Sequence, residues 1–210
     1  MILETFSSGP FETNTYIVGC PLTLKAFVVD VPPQSTKGIL EILKKKGLVL
    51  DKILLTHSHW DHISDVSLLK EATGADVLIH PLDVDNLQKP GADKLPMFFS
   101  FEGLVPDGFL KEGELVTVGS LEIEVLFTPG HTPGGVCFYL SKEKTLFSGD
   151  TLFKGTMGRV DFPTSSAKLM WTSLKKLSTL PAETKVYPGH GSPTQIGKEA
   201  WIANAEERFN

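Results

Sequence analysis

Short β-branched, apolar-rich stretches dominate the first third of the chain. "ILETFSS", "TNTYIVGC" and "KAFVVDV" read as strands, broken by Gly-Pro and Cys-Pro. The period then lengthens in "STKGILEILKKKG", where Ile39, Leu40, Ile42 and Leu43 make one helical stripe. Ser35 or Thr36 supplies an N-cap and Gly47 follows the last turn, so this segment is a helix. A strand "LDKILLT", a helix "ISDVSLLKEATG" stopped by Gly74, and a strand "DVLIH" come next. That alternation predicts a layered α/β fold.

Residues 88–112 interrupt the pattern. Gly and Pro punctuate a cluster of Met97, Phe98, Phe99, Phe101 and Phe109, which predicts a lid over a site or a packing surface. A hairpin follows in "GELVTVGSLEIEVLFTP", turning near Gly119-Ser120, and then the strands "GVCFYL" and "KTLFSGD". A helix in "SSAKLMWTSLKKLSTL", the strand "KVYPGH" and a terminal helix around "GKEAWIANAEERF" complete the pattern. With no linker, low-complexity tract or repeat, residues 1–210 are expected to form a single domain.

Composition narrows the function classes. The net charge is −5, with Lys and Arg scattered apart from Lys44-Lys45-Lys46, so neither nucleic acid nor an anionic membrane is an expected partner. The N-terminus has no signal-peptide pattern, and no apolar run approaches the ~18 residues of a membrane span. Cys20 and Cys137 are too few for a disulfide framework. A soluble, cytoplasmic chain with reduced thiols is expected, acting on a small molecule.

The chemistry concentrates in "ILLTHSHWDHISD", which holds three of the six histidines. His57 and His59, at i and i+2 past a strand end, point the same way. Asp61 and His62 sit where the next helix begins and face differently. Such a set serves two neighbouring ions better than one, and each ion then needs ligands from other strand ends. "VLFTPGHTPGG" offers His131, "TLFSGDTLF" Asp150, and "KVYPGHGSP" His190. His80, before Pro81, is left over and is read as structural. H-x-H-x-D-H is a specific metal signature. Imidazole and carboxylate without Cys suit two divalent ions, zinc first, with iron or manganese also compatible. Asp150 is the natural bridge between ions ~3.5–4 Å apart, and ions so placed lower the pKa of a bound water toward ~7.

The segments "THSHWDH", "PGHTPGG", "SGDTLF" and "YPGHG" resemble the metallo-β-lactamase superfamily over nearly the whole chain. "GDTLFKGTMGRVDFP" and "GHGSPTQIGKE" are similar to its short glyoxalase II-like hydrolases. The resemblance implies an α/β fold, a four-layer αββα sandwich with the site at the edge of the inner sheets. It implies that His57, His59 and His131 hold one ion and Asp61, His62 and His190 the other, with Asp150 shared. It also implies a hydrolase of thioesters, first among them S-lactoylglutathione, with Asp61 orienting the attacking hydroxide and Arg159 binding a substrate carboxylate. In the same stretch Val160 and Asp161 replace the usual aromatic pair, and "GHG" stands where larger relatives have His-Glu-Tyr. The chain also ends without the C-terminal helical region of those relatives. The Asp at 150, where class B β-lactamases usually carry Cys, argues against β-lactam hydrolysis. The alternative within the fold is a mononuclear iron persulfide dioxygenase using His57, His131 and Asp150. Asp30, ending "AFVVD", is a candidate to orient a ligand histidine.

Overall fold

A computed structural model describes residues 1–209. The first sheet holds β1 (Ile2–Ser8), β2 (Thr13–Gly19), β3 (Lys25–Val29), β4 (Val49–Leu54), β5 (Asp76–Ile79) and β6 (Gly108–Phe109), side by side in chain order. The second holds β7 (Leu115–Val118), β8 (Leu121–Phe127), β9 (Val136–Leu140), β10 (Thr145–Gly149), β11 (Lys185–Pro188) and β12 (Thr194–Gln195), again in chain order. β3 through β6 pair in parallel, as do β10 and β11; the remaining pairs are antiparallel.

The central strands are apolar at successive positions because both faces of each sheet are covered. Tyr16, Val18, Phe27, Val29 and Leu54 point inward to meet Ile123, Val125, Phe138 and Phe147 of the opposite sheet. Their neighbours Ile17, Ala26, Val28 and Ile53 point outward, onto Ile39 and Leu43 of α1 (Thr36–Lys46). The outer face of the second sheet, with Cys137, Tyr139, Leu146 and Val186, packs on Met170, Leu174 and Leu177 of α5 (Ala167–Leu177). Three apolar layers between four structural ones make the αββα sandwich.

Gly47 and Gly74 end their helices in the left-handed conformation, as their positions predict. The start of α1 differs from expectation. The Ser35 hydroxyl donates to the Pro32 carbonyl, and Asp65 accepts instead from the N–H groups of Thr36 and Gln34. Asp65 also divides the helix expected in "ISDVSLLKEATG" into α2 (Trp60–Ile63) and α3 (Val66–Thr73). A 3₁₀ turn at Pro81–Asp83, α4 (Val84–Gln88) and the two-residue β6 and β12 carry no pattern long enough to read. The terminal helix is a 3₁₀ stretch, Ala200–Asn204, running into α6 (Ala205–Phe209). Among the described residues no helix is long and apolar enough to cross a membrane, and both cysteines are free and buried.

Candidate metal centre

The ends of β4, β10 and β11 and the turn after β8 meet at one edge of the sandwich. His57 and His59 follow β4, with ring centroids 4.8 Å apart, and His59, in extended backbone, occupies the N-cap of α2. Asp61 and His62 lie on that helix. Gly149, with φ +47, turns the chain so that Asp150 enters from the second sheet. A Cβ at Gly189 would overlap the Asp150 carboxylate, so only glycine lets the His190 loop approach.

All seven expected ligand groups converge. The ring nitrogens of His57, His59 and His131 lie within 4.8 Å of one another, as do the ligand atoms of Asp61, His62 and His190. In the second group His62 Nε2 and His190 Nε2 are 3.3 Å apart, and Asp61 Oδ2 is 3.3 Å from His190 and 3.6 Å from His62. Asp150 spans both groups, with Oδ2 3.3 Å from His131 Nε2 and 3.5 Å from His190 Nε2, and Oδ1 3.4 Å from His62 Nε2. Tetrahedral bonds of ~2.0–2.1 Å have edges of about 3.3–3.4 Å, close to these spacings.

The residues fit a metal on a second ground. Nε2 of His57, His59 and His131, and Oδ1 of Asp150, are buried without a hydrogen-bond partner. Each such atom costs ~1–3 kcal/mol unless something fills its lone pair. In three of the histidines the opposite ring nitrogen is fixed. His131 Nδ1 donates to the Arg159 carbonyl (2.8 Å), His190 Nδ1 to the Phe11 carbonyl (3.0 Å), and His62 Nδ1 to Asp30 Oδ2 (2.8 Å). Each bond turns Nε2 toward the centre.

Asp30 therefore orients a histidine, as its position at the end of β3 suggested. It also lies within ligand distance of His57 and His62. However, Oδ1 accepts from the Thr56 N–H and Oδ2 from the Thr56 hydroxyl as well as from His62, so the carboxylate is already committed to three hydrogen bonds. Its backbone is left-handed, φ +58, a strained state that marks a constrained position.

The two groups differ electrostatically. Burial, then the neighbouring imidazoles, holds His57 well below its ordinary pKa; burial also lowers His131 and takes His59 down to about 3. Burial opposes protonation of His62 and His190 too. There the surrounding carboxylates outweigh it, raising His62 well above the ordinary value and His190 to about 9. The same histidines overcome the burial penalty on Asp150 and hold it well below the usual carboxylate range.

Several supporting residues were not singled out from the sequence. Thr13 donates to Asp61 Oδ2 (2.9 Å), and Asn14 donates to the carbonyls of Pro188 and Gly191 on the His190 loop. Asp83 accepts from the N–H of Ser58 (2.9 Å), between His57 and His59, and from that of Gly134 (2.6 Å), past His131. Asn86 donates to the Ser58 carbonyl and to Asp93. Single side chains that donate one hydrogen bond to a neighbouring segment, or accept one from it, leave no spacing signature. His80 stays outside the centre, stacked on Phe127 with Nδ1 accepting from the Leu82 N–H.

A cavity of about 500 Å³ opens over the cluster. The Phe-rich loop forms part of its wall: Phe98 and Phe99 pack on Trp60 at 5.6 and 5.5 Å, and Phe98 meets Phe11. Arg159 lines the cavity as expected, but its fork is occupied by Asp161, at 2.9 and 2.7 Å.

Comparisons with known proteins agree with this architecture. The chain is 40% identical over 179 residues to a hydroxyacylglutathione hydrolase of Cereibacter sphaeroides, covering 85% of this chain and 62% of that protein. Two solved structures superpose closely. One is the BLEG-1 B3 metallo-β-lactamase (TM-score 0.87, 32% identity, 94% of this chain and 96% of that one). The other is TTHA1623 in a di-iron-bound form (TM-score 0.81, 36% identity, 94% and 96%). Residues 8–190 match the model of the metallo-beta-lactamase superfamily, and the chain belongs to that superfamily.

Proposed function

We propose that this protein is a dinuclear metal-dependent hydrolase of thioesters, the class that includes S-lactoylglutathione. The observation that carries the reading is the division of seven ligand groups into two triads spanned by Asp150, at the floor of a cavity with apolar walls. His57, His59 and His131 would hold one ion, and Asp61, His62 and His190 the other. Zinc is the first expectation, and the di-iron form of a structural relative supports iron equally. Divalent ions there supply Lewis acidity toward a carbonyl and acidify water.

The chain's own groups supply positioning. Asp61 lines the cavity, and the Thr13 hydroxyl fixes its Oδ2, so the carboxylate is set to orient an attacking water. Phe11, Trp60, Phe98 and Phe162 wall the cavity and reduce competing solvent around the scissile bond. A thiolate leaves without protonation, so the reaction needs no dedicated general acid. The name of the Cereibacter relative supports a thioester substrate, although this chain spans only 62% of that protein. A mononuclear dioxygenase built on His57, His131 and Asp150 would leave Asp61, His62 and His190 without a role.

The test is a panel of thioesters, β-lactams and a persulfide with oxygen uptake, run on one preparation of known metal content. Thioester turnover that chelation abolishes and metal restores is expected, at close to two ions per chain. Turnover of β-lactams alone, or oxygen uptake at one ion per chain, would replace the proposal.

A further inference from the structure

The cavity over the cluster has two kinds of wall. Five of its lining residues are the candidate ligands His59, Asp61, His131, Asp150 and His190. Beyond them it is lined by apolar side chains, chiefly Phe11, Trp60, Phe98, Phe153, Met157 and Phe162, and by Arg159, the one Lys or Arg among the lining residues described. Recognition away from the scissile bond therefore depends on apolar surface and on what Arg159 is free to do.

Arg159 is constrained on three sides. Its Nε and Nη2 donate to the two oxygens of Asp161, forming a bidentate pair. Its guanidinium lies over the Phe162 ring, 4.4 Å from the centroid, which holds the fork flat against the wall. Its carbonyl accepts from His131 Nδ1, which ties this stretch of backbone to the metal-binding turn. Asp161 is two residues away, so its charge travels with the arginine wherever the loop moves. A substrate carboxylate would find only the remaining Nη1–Nη2 edge, and would lie beside Asp161, of like sign, on a guanidinium whose charge is already offset.

We propose that the cavity takes thioesters whose group beside the metal centre is uncharged and apolar, and that Asp161 is a specificity-determining residue that turns carboxylate-bearing substrates away from Arg159. The proposal rests on the thioester reading for the bond that is cleaved and deepens it in the choice of thiol and acyl halves. Both members of the pair are about two-thirds exposed, so the discrimination has the size of an exposed ion pair, about two- to fivefold per substrate carboxylate.

Binding of non-hydrolysable thioethers tests this separately from catalysis. Metal-loaded protein is titrated by calorimetry with S-benzyl-N-acetylcysteamine, which is neutral, and with S-benzylglutathione, which carries two carboxylates. The neutral ligand is expected to bind about threefold or more tightly than the glutathione conjugate. Asp161→Asn should tighten the glutathione conjugate about two- to fivefold, and adding Arg159→Ala should remove that gain. Phe98→Ser should weaken both ligands by similar factors. Tighter binding of S-benzylglutathione by the unaltered protein, an Asp161→Asn variant that leaves the order as it was, or no binding of either ligand would overturn the inference. If the binding order holds while no thioester is turned over, the hydrolase reading fails and the account of the cavity stands.

Discussion

Replacing Asp83 with Ala would leave the buried N–H groups of Ser58 and Gly134 without their acceptors. At ~1–3 kcal/mol each, the loss is about 2–6 kcal/mol, measurable by denaturant unfolding. Asp83→Asn keeps one acceptor and should cost about half as much. Both ligand-bearing turns loosen together in the Ala variant, so metal per chain should fall as well; full occupancy at unchanged stability would refute the clamp. A second outcome concerns protons. In the metal-free protein His57, His59 and His131 are already neutral at pH 7, whereas His62 and His190 have raised pKa values and carry protons. Ligation needs neutral imidazole. Filling the His62 side should therefore release protons, with an affinity that falls as pH drops below the raised value near 9 at His190. Filling the His57 side should release almost none. Calorimetry in buffers of different ionisation enthalpy reads the difference, and equal release from both sites would contradict it. The ligands were legible in the sequence because metal binding demands particular side chains at particular strand ends. Asp83, Thr13 and Asn14 were not, because many side chains can accept or donate one hydrogen bond from a turn.

Secondary elements were legible in proportion to their length. Strands such as Tyr16 to Val18, with alternate residues serving two different apolar layers, announce a covered sheet. α1 and α5 carry a full stripe, and Gly47 and Gly74 mark real ends. What escaped was decided between elements. Asp65 is assigned by local pattern to the first turn of a helix, yet its carboxylate caps α1, 29 residues earlier, and the chain bends there to allow it. Asp65→Ala should cost about 1–2 kcal/mol, the usual range for a lost N-cap. Asp65 is not among the grouped ligand residues, so metal content should hold while the unfolding midpoint drops. Loss of metal in step with stability would show that α1 and the centre do not separate energetically.

At the scale of the whole molecule, each proposed ion takes ligands from both halves of the sandwich. His57 and His59 face His131, and Asp61 and His62 face His190. Binding to the folded state alone stabilises it by about 2.7 kcal/mol when free metal is a hundredfold above Kd. For a chain of this size that is roughly 5–11 °C in Tm per ion. Scanning calorimetry with and without chelator should show a drop in that range; no drop would mean that the groups do not bind metal in the native state. The connection between the sheets adds a topological consequence. The chain passes from the first sheet to the second only once, through exposed residues 111–114 between β6 and β7. Scission there would yield two fragments, each carrying one whole sheet and part of both ligand sets. Their shared apolar face favours reassociation at any metal level, but only the ions need both partners at once. A nicked form of this protein would accordingly behave as a heterodimer that metal tightens, its halves held by coordination and the apolar face where the intact molecule also has the peptide chain.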